Sequence, residues 1–164
     1  MDALNLSIDT ASIWDVRALL ERHVALMREG SPEESCHVLD PATLMERDSV
    51  LIAARADGIL QGIGALTVIG PKHGELKSMH TRAEARGKGV AQAVLETLID
   101  HARDTGLARL SLETGTAETF APARGLYQRN GFVSCPPFGS YSSDPLSIFM
   151  TRALNACPSR FGTA

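Results

Sequence analysis

An α+β fold, with a mixed and mostly antiparallel central sheet flanked by helices, is what this 164-residue chain predicts. Two observations carry the reading. Between Val50 and Thr81 three strand-like runs follow one another with tight turns between them, the pattern of an antiparallel meander. From Val90 onward a long helix-like run, a strand, a short helix and further strands alternate, so a crossover must join part of the sheet.

The elements follow in order. Leu4 to Ile8 alternates apolar and polar residues, as a half-buried strand does. Asp9, Thr10 and Ser12 offer helix N-caps, and Ser12 with Asp15 approximates a capping box. Ile13, Val16, Leu20, Val24 and Met27 then fall at helical spacing, and Gly30, ahead of Pro32, should end that helix. Ser31 to Asp40 is polar and precedes a second helical run, Pro41 to Arg47. Val50 to Ala56 is a strand, Asp57-Gly58 a hairpin turn, and Ile59 to Ile69 a second strand, loosened by Gly62 and Gly64. Gly70-Pro71 ends it, His73-Gly74 completes the next turn, and Glu75 to Thr81 is the third strand.

The helix that opens at Val90 and runs to Thr105 carries Val90, Val94 and Leu98 on one stripe, with Ala91, Leu95, Ile99 and Ala102 beside it. So broad a stripe should pack on the sheet. Gly106 suits its C-terminal cap. Arg109 to Glu113 alternates with Leu110 and Leu112 inward. Ala121 to Asn130 reads as a short helix with Pro122 in its first turn, capped by Gly131. Phe132-Val133 begins a strand, Cys135 to Pro145 is a loop rich in Pro, Gly and Ser, and Leu146 to Thr151 is the last strand. Residues 1–154 form one expected domain and 155–164 a tail.

Composition bounds the function. A net charge of −3 argues against a general nucleic-acid binder, and no apolar run approaches a membrane span. The N-terminal residues lack the apolar core of a signal peptide. Cys36, Cys135 and Cys157 are odd in number and lack CxxC spacing, which fits a reducing, cytoplasmic setting without a disulfide framework. Five scattered histidines without HExxH give no reason to expect a metal.

The chemistry concentrates between Thr81 and Val90. Arg86-Gly87-Lys88-Gly89-Val90-Ala91 is a glycine-bearing loop feeding a helix N-terminus. Glycines let the backbone approach a phosphate closely, and the first helix amides have no internal partners, so such a loop is a ready pyrophosphate site. Arg82, Arg86 and Lys88 add positive charge. The loop is neither a Walker A nor a GxGxxG motif. It resembles the pyrophosphate loop of the GNAT acyltransferases, Gln/Arg-x-x-Gly-x-Gly/Ala. Leu126-Tyr127-Gln128-Arg129-Asn130-Gly131-Phe132 is similar to that family's Leu-Tyr-x-x-x-Gly-Phe segment. The likeness covers roughly residues 50–152.

That resemblance implies a GNAT-like sheet and acetyl-CoA as cosubstrate, with no metal. It implies a cofactor site made of Met79, His80 and Thr81, by their backbone along the pantetheine arm, and of Arg86, Gly87, Lys88, Gly89, Val90 and Ala91 around the pyrophosphate. Tyr127 would be the acid for the departing thiolate. A backbone N–H near Met79 or His80 would stabilise the oxyanion. The polar stretch 31–40 would help form the acceptor side of the cleft. Family members often carry an asparagine seven residues before the tyrosine. Here Phe120 stands there, so that contact is not carried over, and Glu113-Thr114-Gly115-Thr116 is left to supply polar groups at the strand end.

The base stays open among Glu75, Glu113, His80, His37 and Asp40, with Glu113 preferred because it lies where two central strands should splay around the thioester. The expected function is N-acetyl transfer to a primary amine of a small or amino-acid-like molecule. The alternatives are a CoA-binding sensor without turnover and a protein or peptide N-acetyltransferase. Nucleic acid and membrane are not expected partners, and family habit points to a homodimer.

Overall fold

The computed structural model describes residues 3–9, 13–30 and 48–154. They form a seven-stranded sheet in the order β1-β2-β3-β4-β5-β7-β6. The strands are β1 (Asn5–Asp9), β2 (Ser49–Ala56), β3 (Ile59–Gly70), β4 (His73–Thr81), β5 (Arg109–Gly115), β6 (Val133–Cys135) and β7 (Ser147–Ala153). The helices are α1 (Trp14–Gly30), α2 (Val90–Asp104) and α3 (Ala121–Arg129). Every neighbouring pair is antiparallel except β4 and β5, which α2 connects in parallel. This is the expected mixed, mostly antiparallel sheet.

Period-two alternation gives the sheet two apolar faces. On one, α2 buries Val90, Val94, Leu95, Leu98, Ile99 and Ala102 against Ile52, Leu66, Leu76, Leu110 and Leu112, and α3 adds Leu126 and Tyr127. On the other, Val16 and Leu20 of α1 cover Leu51, Ala53, Leu60, Ile63 and Ala65. The predicted α1 stripe is the buried one: Val16, Leu20 and Val24 are inside, and Ile13 and Met27 are half-buried.

Four local readings change. His73-Gly74 is not a turn. Both residues lie in β4, and the turn is Pro71-Lys72, with Lys72 at φ 55°. The strand carries a glycine at 74 because a Cβ there would meet Leu107, Leu66 and Leu110 at 2.8 to 3.0 Å. Gly62 and Gly64 do not loosen β3. They let α2 lie directly on it, since a Cβ would meet Val90 at 2.7 Å in one case and Met79, Val94 and Leu98 at 2.5 to 2.9 Å in the other. The strand β5 runs on to Gly115, two residues past its expected end. Cys135 closes β6, so the loop begins at Pro136, and Leu146 still belongs to it. The expected capping box, the helix at 41–47, the polar stretch 31–40 and the tail 155–164 fall wholly or partly outside the described residues.

Candidate active site

The loop after β4 has the shape that its glycines require. A short 3-10 turn, Ala83–Ala85, follows the strand. Gly87 and Gly89 then take φ of 75° and 81°, in the left-handed region, and Gly89 caps α2. A Cβ at either position would meet nothing within 4 Å, so the glycines serve backbone direction in an open surface. Among the described residues the amides of Gly87 to Ala91 donate to no backbone carbonyl. Arg86 and Lys88 are exposed beside them. Arg82 is engaged elsewhere, its Nε 3.1 Å from Glu84 Oε2. Free amides, a helix N-terminus and two cations suit a pyrophosphate.

Upstream of the loop the sheet opens. The parallel pairing of β4 with β5 runs only from His73/Arg109 to Leu76/Leu112. Beyond it β4 stays with β3 to Thr81 and β5 stays with β7 to Gly115. Ser78 marks the departure, at φ 55° within an irregularity of the β3–β4 register. The edge of β4 that faces β5 is therefore free of ladder bonds from Lys77 to Thr81. Such an edge can pair with an extended ligand. The Met79 side chain packs into the core on the α2 side.

Lys77 and Glu113 are the first residues past the last parallel pair, one on each strand. Glu113 is half-buried, and desolvation pushes its carboxyl up to about 7, although Ser147 Oγ donates to Oε1 at 2.9 Å and Lys77 lies near. Glu75, two residues before Lys77 on the same strand face, is buried and accepts from Tyr141 Oη at 2.5 Å. Lys77 Nζ is 3.2 Å from the same Glu75 oxygen and donates to Tyr141 at 2.9 Å.

His80 points to α1, where its Nδ1 lies 3.2 Å from Nδ1 of His23. Both rings are held at about 4, chiefly by burial, so at neutral pH they are uncharged and weak bases. His80 Nε2 is the buried side-chain polar atom without a partner among the described residues.

Tyr127 sits on α3 in the core, edge-on to Phe132 at 5.9 Å between centroids. Burial raises its phenol, so it stays protonated and able to donate. Phe120, which stands where the asparagine contact was not carried over, packs on the bare face of Gly115. Arg124 there donates to the carbonyls of Gly115 at 2.7 Å and Ala117 at 2.9 Å.

The structure thus brings Glu75 and Glu113 to one face of the opened sheet and sets His80 against His23 of α1. His37 and Asp40 lie outside the described residues. Sequence reading missed Lys77, Tyr141, Ser147 and His23. Lys77 was recoverable, because alternation puts it on the same face as Glu75. The other three carry no local signal.

No group of three or more His, Cys, Asp or Glu among the described residues could hold a metal, and no helix there is long and apolar enough to cross a membrane. The fold and the loop together define a class, and comparison with known proteins agrees. The model of the Acetyltransferase (GNAT) family matches residues 16–132. The chain is 41% identical over 151 residues to the uncharacterized N-acetyltransferase YsnE of Bacillus subtilis (strain 168), covering 92% of this chain and all of that one. It is 40% identical over 124 residues to an IAA acetyltransferase of Azospirillum brasilense, with 75% and 80% covered. A crystal structure of a putative acyl-CoA N-acyltransferase from Klebsiella pneumoniae superposes with a TM-score of 0.77 at 27% identity, over 93% and 98% of the two chains. The chain belongs to the GNAT family and is an acetyl-CoA-dependent N-acyltransferase.

Proposed function

We propose that this protein transfers the acetyl group of acetyl-CoA to a primary amine of a small or amino-acid-like molecule, by direct attack through a tetrahedral intermediate. The observation that carries the reading is Glu113: a carboxyl pushed up to about 7, on the first residue past the β4–β5 ladder. A base with that pKa is matched to neutral solution, where it can take a proton from an acceptor ammonium.

The other roles follow from position. The amides of Gly87 to Ala91, with Arg86 and Lys88, hold the pyrophosphate, and the free edge from Met79 to Thr81 pairs with the pantetheine arm. An amide near Met79 or His80, beside the strand irregularity at Ser78, donates to the oxyanion. Tyr127, protonated at any working pH, donates to the departing thiolate. His80 is too weak a base for the first proton and serves as a neutral ring. A cytoplasmic location and a homodimer complete the reading.

The test is thiol release from acetyl-CoA with a panel of primary amines and free amino acids, followed over pH. The wild-type enzyme should show an acid limb in kcat/KM near pH 7. Glu113→Gln should lose that limb and about 10²-fold or more in rate. An unchanged profile in Glu113→Gln would remove Glu113 as base, and no turnover with any amine would remove the acceptor class.

A further inference from the structure

Glu75, Lys77 and Tyr141 close a triangle beside Glu113. Lys77 Nζ donates to Tyr141 Oη at 2.9 Å, Tyr141 Oη donates to Glu75 Oε1 at 2.5 Å, and Nζ lies 3.2 Å from that same oxygen. The side chains of Lys77 and Glu75 are only 11% and 6% exposed. A lysine surrenders much rotamer freedom to be held so, and a charge out of water needs its partners. Tyr141 is fixed in turn: its ring meets Phe138 edge-on at 5.2 Å and tilts on Phe149 at 5.3 Å. It comes from the loop between β6 and β7, 66 residues from Glu75.

Among the described residues, the charged and polar groups that face Glu113 are Lys77 and Glu75 from β4, Asp144 from the loop and Ser147 from β7. Lys77 draws the carboxyl toward its ionised form, while Glu75 and Asp144 oppose it. We propose that Lys77 is a positioning residue: Glu75 and Tyr141 lock its ammonium at the mouth of the opened sheet, where it keeps Glu113 available as a base. The loop 136–146 then enters the reaction through Tyr141. This rests on the reading of Glu113 as the base.

The two neighbours on β4 act on Glu113 with opposite sign, and the experiment uses that. In Lys77→Met the acid limb of kcat/KM should move up by about one pH unit, the scale of one nearby opposite charge. Lys77→Arg should restore it. In Glu75→Gln, which keeps the shape and the Tyr141 bond, the limb should move down. A lysine present only for packing would lower the melting temperature without moving the limb in opposite directions. The carboxyl is also read without turnover, by 13C NMR titration of Glu-labelled enzyme, with the Glu113 signal assigned by its loss in Glu113→Gln. Opposite shifts of that signal in the two variants support the inference. If the signal moves and the rate profile does not, Lys77 still governs Glu113, and the assignment of Glu113 as base falls. If neither moves in folded Lys77→Met and Glu75→Gln, the inference is overturned.

Discussion

His23 and His80 face each other with their Nδ1 atoms 3.2 Å apart, so one ring carries its proton on Nδ1 and the other does not. The pair joins α1 to the end of β4. Both rings are held at about 4, below the ordinary value of 6.5. Between those values the unfolded chain binds protons that the native state refuses, so stability rises with pH across the window and falls as pH drops from 6.5 toward 4. The melting temperature should therefore fall between pH 7.5 and 5, and fall less in the double variant His23→Asn, His80→Gln. An equal drop in both proteins would place the acid sensitivity in other groups.

Tyr127→Phe keeps the ring that meets Phe132 and removes only the hydroxyl. The expected result is a kcat lower by roughly 10²–10³, with acetyl-CoA affinity nearly unchanged. The loss should shrink with an acyl donor whose leaving thiol is more acidic, because that thiolate needs less help. Steady-state kinetics with both donors checks this. A wild-type kcat would make Tyr127 a packing residue alone.

Gly89→Asp places a negative charge and a Cβ at the cap of α2. The site is open, so nothing clashes, and the φ of 81° costs an aspartate about 1 kcal/mol. Folding should survive while CoA binding weakens at least tenfold, read by calorimetric titration. Unchanged affinity in the folded variant would put the pyrophosphate elsewhere.

Gly64→Ala should behave in the opposite way. Its Cβ would meet Met79 Sδ at 2.5 Å, Val94 at 2.7 Å and Leu98 at 2.9 Å. Overpacking of this kind costs about 1–3 kcal/mol, so the melting temperature should drop by several degrees. The strain also falls on β4 at its irregularity, so kcat should decline with stability. A variant as stable as wild type would mean that α2 and Met79 yield at no cost.

The elements themselves were legible in the chain. Period-two runs marked the strands, the 3.6-residue stripe marked the buried faces of α1 and α2, and Gly87 and Gly89 marked the loop whose backbone needs positive φ. These are local properties, fixed by neighbours a few residues away. The turn at Pro71-Lys72 was misplaced because Gly74 reads locally as a breaker. Its reason lies in the Leu66, Leu107 and Leu110 side chains packed over it.

The site was decided by tertiary structure. His23 meets His80 across 57 residues and Tyr141 meets Glu75 across 66, contacts that no periodicity encodes. Sequence alone set Glu113 facing away from Leu112 on its strand. Its carboxyl is pushed up to about 7 chiefly because the fold takes it out of water, with Glu75 and Asp144 adding to the rise and Ser147 and Lys77 opposing it. Local pattern selects which face a side chain takes, whereas register, the parting of β4 from β5 and the path of the loop 136–146 select what it meets there.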